Sequence, residues 1–226
     1  MAEAWLNHEP LSMGSIIRLA VVMVFFCLGV FPSSILAQGS FQNLSFEQAN
    51  PGQTVESPNG YPVAYNVPAA NALPYWNVYY GGVQQNTVNF NSPGLGSTLV
   101  TLVGEGWPAI DGNYSVLLQG GQTASAASIT QTAAIPSGMQ SLYFEAQPGG
   151  GSLDVLIGTQ TIPFTAVGTG PNYTLYGANI SAWAGNTEQL TFSALEDSSP
   201  SSSGNIRCSK ARRKACPPNE RAAGLL

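Results

Sequence analysis

Between residues 38 and 206 the chain is a succession of short apolar–polar alternations cut by turn residues, a pattern that restricts it to β structure. Leu142, Phe144 and Ala146 alternate with Tyr143 and Glu145, Leu153, Val155 and Ile157 with Asp154 and Leu156, and Leu190, Phe192 and Ala194 with Thr191 and Ser193. Successive strand side chains point to opposite faces, so each run offers one apolar face to a core. Gly158-Thr159 joins residues 153–157 to 160–164 as a Gly-first connection of the type II′ hairpin. Further strands are expected at 41–47, 76–80, 83–88, 98–103, 114–119, 127–132 and 173–179. Asn50-Pro51-Gly52, Ser92-Pro93-Gly94, Asp111-Gly112-Asn113, Gly120-Gly121 and Gly149-Gly150-Gly151 separate them. The one helical hint is a single turn at 180–183. About ten short strands at this spacing predict an all-β fold, an antiparallel β-sandwich or jelly roll. A stretch of this length can be stabilised by one buried core.

What the same stretch lacks narrows its chemistry. Residues 38–206 hold nine carboxylates and no Lys, Arg, His or Cys; the only histidine of the chain is His8, and its cysteines are Cys27, Cys208 and Cys216. Within 38–206 this excludes a Ser-His-Asp triad, a catalytic cysteine, a Schiff-base lysine, a His or Cys metal site and a disulfide. It also disfavours nucleic acid, and none is expected as a partner, because affinity there comes from neutralising phosphates with Lys and Arg. A carboxylate pair suffices for glycoside hydrolysis. No local motif brings two of the nine acids together, however, and Glu145 and Asp154 fall at outward positions of adjacent strands, as solvated surface. The expectation is a protein that is not an enzyme.

Residues 1–37 have the layout of a secretory leader. Arg18 is the positive region, residues 19–31 are uncharged and apolar, Pro32-Ser33-Ser34 breaks the run, and Ile35-Leu36-Ala37 supplies a cleavage site after Ala37. The apolar run is shorter than the roughly 20 residues of a spanning helix, so contact with a membrane is expected only in transit. Residues 1–12 carry Glu3 and Glu9 where such a leader should be basic, which points to translation beginning at Met13. The expected location is extracellular or in the cell envelope.

Four motifs carry a family resemblance. They are Asn43-Leu44-Ser45-Phe46-Glu47; Leu73-Pro74-Tyr75-Trp76 with Val78-Tyr79-Tyr80-Gly81; Asp111-Gly112-Asn113-Tyr114-Ser115-Val116-Leu117-Leu118 with Ile129-Thr130-Gln131-Thr132; and Tyr173-Thr174-Leu175-Tyr176-Gly177-Ala178-Asn179-Ile180-Ser181 with Ala184-Gly185. In this order they resemble exported PEP-CTERM proteins with a galactose-binding-like jelly roll. The resemblance implies an extracellular β-sandwich related in fold to carbohydrate-binding modules. It also implies Ca²⁺ as a possible cofactor, with Glu47 in the ligating position and its partner aspartate on a last strand. Asp111 is a second candidate for Ca²⁺, although Asp-Gly-Asn is also ordinary turn chemistry.

The chain departs from that family after Asn205-Ile206. Residues 207–226 hold six basic residues and Glu220. They show no β alternation, no Pro-Glu-Pro motif and no apolar helix. Two readings follow: a shifted reading frame, or a genuine basic tail that is solvated and disordered. A shifted frame would leave the sandwich without its closing strand and with an exposed sheet edge.

Sugar binding uses aromatic faces against pyranose rings, with amides and carboxylates fixing hydroxyls. Tyr61, Tyr65, Tyr75, Trp76, Tyr79, Tyr80 and Trp107 form a dense aromatic group, and residues 48–75 read as a long loop suited to a binding rim. The expected ligand-binding set is Tyr61, Tyr65, Trp76, Tyr79, Tyr80 and Trp107, with polysaccharide or extracellular matrix as partner. Against it stands the tendency of large aromatics to be core. Tyr79 and Tyr80 are adjacent, so one of them must face outward. A purely structural envelope protein is the alternative, and a glycoside-active enzyme the next. The leader reading predicts a mature N-terminus at Gln38. Sequencing the exported product checks this, and a product that retains residues 19–31 would identify an anchor instead.

Overall fold

The computed structural model describes residues 40–94, 96–121, 126–148, 152–195 and 204–214, with Pro148 and residues 204–214 as backbone only. The leader lies outside the described residues.

Two sheets face each other. With strands numbered in chain order, the larger runs β1 (Val55–Glu56), β2 (Pro62–Pro68), β5 (Thr87–Phe90), β6 (Leu99–Gly104), β7 (Tyr114–Gly120), β15 (Gly204–Lys214), β9 (Ser141–Pro148), β13 (Thr174–Asn179), β12 (Phe164–Thr169). The smaller runs β11 (Gln160–Thr161), β10 (Leu153–Ile157), β14 (Thr187–Ala194), β8 (Ala127–Ala134), β3 (Asn77–Tyr80), β4 (Val83–Gln85). Neighbours are antiparallel except for the parallel pair β5–β6. This is the all-β sandwich that the alternation predicts.

The core lies where the alternating residues meet. Leu142, Phe144 and Ala146 of β9 and Val116 and Leu118 of β7 are buried with Val155 and Ile157 of β10 and Leu190, Phe192 and Ala194 of β14. The Phe144 and Phe192 rings meet edge to face with centroids 5.4 Å apart. Burying a phenylalanine this fully stabilises the fold by roughly 2–3 kcal/mol relative to leaving it exposed. Gly158, at φ 60, turns the β10–β11 hairpin as a Gly-first primed turn requires.

Several expectations need correction. Residues 41–47 form no strand: Asn43 and Phe46 take positive φ values of 46 and 62, so the segment coils while still burying Phe41 and Phe46. Residues 83–88 divide into β4 and β5, which belong to different sheets. The supposed rim loop at 48–75 contains β1, β2 and a single α-helical turn, α1 (Ala69–Ala72). Glu145 is buried, not solvated, because β9 is an interior strand flanked by β13 and β15, with Leu175 and Lys210 as its register partners.

The largest correction concerns the closing strand. Residues 204–214 form β15, pairing Gly204–Cys208 with β7 and Ile206–Lys214 with β9 across a register shift between Cys208 and Lys210. Residues 207–214 therefore belong to a sheet, while 215–226 lie outside the described residues. Pairing uses backbone N–H and C=O groups that every non-proline residue carries, so the gap between β7 and β9 can be filled without side-chain alternation.

Tyr80 ties the two sheets together. It sits on β3, and its hydroxyl accepts a hydrogen bond of 3.1 Å from the backbone N–H of Val100 on β6. Burial raises its phenol pKa above the ordinary 10.0, partly offset by that bond. The neutral phenol's contribution to stability is therefore complete below pH 10.0 and is lost as pH rises through the higher folded value. Tyr80→Phe is expected to cost about 1–2 kcal/mol at neutral pH, because the Val100 N–H loses its partner, and to remove part of the alkaline loss. Urea unfolding at neutral and alkaline pH measures both effects.

Candidate functional site

The site begins with a backbone conformation. Tyr75 sits at φ 72, a left-handed value that a bulky side chain rarely adopts. Trp76 N donates to Leu73 O at 3.0 Å, closing a turn around Pro74 and Tyr75. Two side chains hold that turn. Asn43 Nδ2 donates to Pro74 O at 3.2 Å, and Gln131 Nε2 donates to Tyr75 O at 3.1 Å. Gln131 is itself fixed on β8, accepting from Gln42 N at 2.6 Å and donating to Gln42 O at 3.0 Å. Left-handed strain of order 1–3 kcal/mol persists only where the surroundings over-determine it. Here they do so, and the ring they hold out is 55% exposed.

Beside that ring lies a cleft of about 440 Å³. Its floor and walls are Pro68, Ala69 and Ala70 at the start of α1, Tyr75, Trp76 and Asn77 leading into β3, and Gln84, Gln85 and Asn86 on and after β4. Gln84 Nε2 donates to Asn77 Oδ1 at 3.2 Å, and Gln85 Nε2 to Val83 O at 3.0 Å, which orients three of the amides. Ala69 N donates to Asn86 O at 2.8 Å and joins the α1 wall to the β4 wall. Among the described residues no carboxylate, imidazole, thiol or cation lines the cleft. One exposed aromatic ring, that of Tyr75, and four amides suit a neutral ligand rich in hydroxyls.

The expected site residues do not converge. Trp76 is buried, its ring 5.7 Å from Phe46 and 6.1 Å from Phe192, with Nε1 donating to Asn43 O at 3.1 Å. Tyr80 is the tie between the sheets. Tyr79, half-buried on β3, stands opposite Gln84. Tyr65 is exposed on β2. Tyr61 and Trp107 do come together, edge to face at 5.6 Å, over Gly106, where a Cβ would sit 2.6 Å from Tyr61 Cβ. Asn77, Gln84, Gln85 and Asn86 carry no sequence signal of a site. Tyr75 does, through its place between Pro74 and a buried tryptophan.

The two acids considered for Ca²⁺ meet at one turn. Glu47 accepts from Asn113 N at 3.0 Å, Asn113 Nδ2 at 2.9 Å and Tyr114 N at 3.3 Å. Gly112, at φ 68, makes room, since a Cβ there would collide with Glu47 Oε1. The Glu47 carboxylate thus fastens the N-terminal coil to the Asp111-Gly112-Asn113 turn. Among the described residues no group of three or more His, Cys, Asp or Glu could hold a metal.

The strain at Tyr75 is open to measurement. Tyr75→Gly and Tyr75→Ala both delete the ring, but only glycine adopts positive φ without cost. The glycine variant should be more stable by about 1 kcal/mol in urea unfolding. Equal stabilities would mean that the turn relaxes.

No protein-family model and no curated protein matches the chain. Among solved structures, that of TmCBM61 in complex with beta-1,4-galactotriose is similar over 78% of this chain and 99% of the other, with 10% identity and a TM-score of 0.37. An overlap this loose does not assign a function.

Proposed function

We propose that the chain is an exported, non-catalytic module that binds neutral saccharides of an extracellular polysaccharide in the Tyr75 cleft. The observation that carries this reading is the pinned left-handed turn: the fold sustains strain in order to hold one aromatic ring in solvent beside four amides. A tyrosine face packs against sugar C–H groups, and asparagine and glutamine exchange hydrogen bonds with ring hydroxyls. The lining offers no carboxylate pair for glycoside hydrolysis, which favours binding without turnover. Export is supported by the leader pattern of residues 1–37, and the family resemblance agrees with it.

Affinity electrophoresis through gels containing soluble galactan, xyloglucan or glucomannan tests this. At least one polymer is expected to retard the wild type, with or without a chelator because no carboxylate lines the cleft. Tyr75→Ala should weaken that retardation tenfold or more. Failure of all three polymers to retard the wild type would overturn the reading and leave a structural envelope protein.

A further inference from the structure

A second cleft lies on the larger sheet, away from β2. It is an open groove of about 500 Å³ on strands β9, β12 and β13 and the turns beside them. Its centre is the cross-strand pair Tyr143–Gly177. A Cβ on Gly177 would stand 3.2 Å from Tyr143 Cε1 and 3.2 Å from Val167 Cγ1, so the tyrosine ring lies over the glycine in the space that a side chain would take. Glycine inside a strand weakens it and marks a place where something must approach the backbone closely. Here that something is the Tyr143 ring, laid along the sheet.

The walls are polar and fixed. Asn179 Oδ1 accepts from Ser181 N at 3.0 Å, holding the turn that follows β13. Gln140 O accepts from Ile180 N at 2.9 Å, tying that turn to the start of β9. Gln140, Asn179 and Ser181 all line the cleft, and none of its described lining residues is charged; on the far side of β9, Arg212 and Lys214 of β15 are the register partners of Tyr143 and Ser141. An aromatic ring flanked by amides recurs from the Tyr75 cleft with different residues, and here two serines, Ser141 and Ser181, add hydroxyls. The two clefts share no residue: this one is built on β9, β12 and β13 of the larger sheet, whereas the Tyr75 cleft lies between α1, with Pro68 at the end of β2, and β3 and β4 of the smaller sheet.

We propose that this cleft is a second binding site for neutral saccharides, and that the domain therefore bridges two polysaccharide strands. The geometry of this site stands independently, while its ligand class rests on the reading of the Tyr75 cleft. Two weak sites on one rigid body raise the apparent affinity for a polymer well above that of either alone.

The test uses the full chain with soluble galactan, xyloglucan and glucomannan, comparing wild type, Tyr75→Ala, Tyr143→Ala and the double variant. Gel retardation reads binding, and light scattering of protein–polymer mixtures reads cross-linking. Near-ultraviolet circular dichroism confirms that each variant is folded, and Gly177→Val fills the cleft as a second way of blocking it. With at least one polymer the wild type is expected to cross-link. Each single variant should be retarded at least tenfold less and should not cross-link, and the double variant should not bind. If Tyr143→Ala and Gly177→Val cross-link like the wild type, or if Tyr75→Ala alone abolishes binding, the second site is overturned and the first stands. If Tyr143→Ala abolishes binding and Tyr75→Ala changes nothing, the first reading falls and this site remains. Absence of binding by the wild type overturns both.

Discussion

The side-chain amide of Gln131 joins three parts of the chain. From an interior strand of the smaller sheet it bonds both backbone groups of Gln42 and the carbonyl of Tyr75. The N-terminal coil so anchored brings Asn43 to Pro74 and to the Trp76 indole, and places Glu47 over the turn at 111–114. A buried amide left without partners costs free energy, and a satisfied one specifies a single arrangement. The exposed ring of Tyr75 is thus set by contacts made on the far side of its own backbone. Its placement depends on the core more than on any surface loop.

The fold was legible because its cause is local. Period-two alternation marked β9, β10 and β14, and Gly158-Thr159 marked the β10–β11 hairpin, since burial on one face forces such patterns into the residues. β2 was hidden by Pro62, Asn66 and Pro68, and by an irregularity between Ala64 and Val67 that interrupts the alternation. Residues 41–47 read as a strand from composition, but the positive φ at Asn43 and Phe46 follows from their distant partners. Glu145 misled for the same reason, because its burial depends on a neighbour some 65 residues later.

The candidate site was less legible. Six aromatic residues were expected to bind, and the structure spends two of them on stability, Trp76 in the core and Tyr80 between the sheets. The residues that do line the Tyr75 cleft are mostly amides, which the sequence scatters through every turn. What singles out Asn77, Gln84, Gln85 and Asn86 is the β3–β4 hairpin folding them toward α1, a tertiary fact. The Tyr143 cleft is hidden more deeply, because its defining residue is a glycine whose importance lies in what it leaves empty.

The place of β15 bears on the order in which the larger sheet can be completed. Along the described sequence it is the last strand, yet it lies in the interior of the larger sheet, between strands that begin at residues 114 and 141. Until residues 204–214 arrive, β7 and β9 have no common neighbour and that sheet remains two separate pieces. Contacts of such long sequence separation form late. A chain emerging from its N-terminus would therefore hold its larger sheet in two pieces, and exposed edges on β7 and β9, until residues 204–214 had emerged and paired with both.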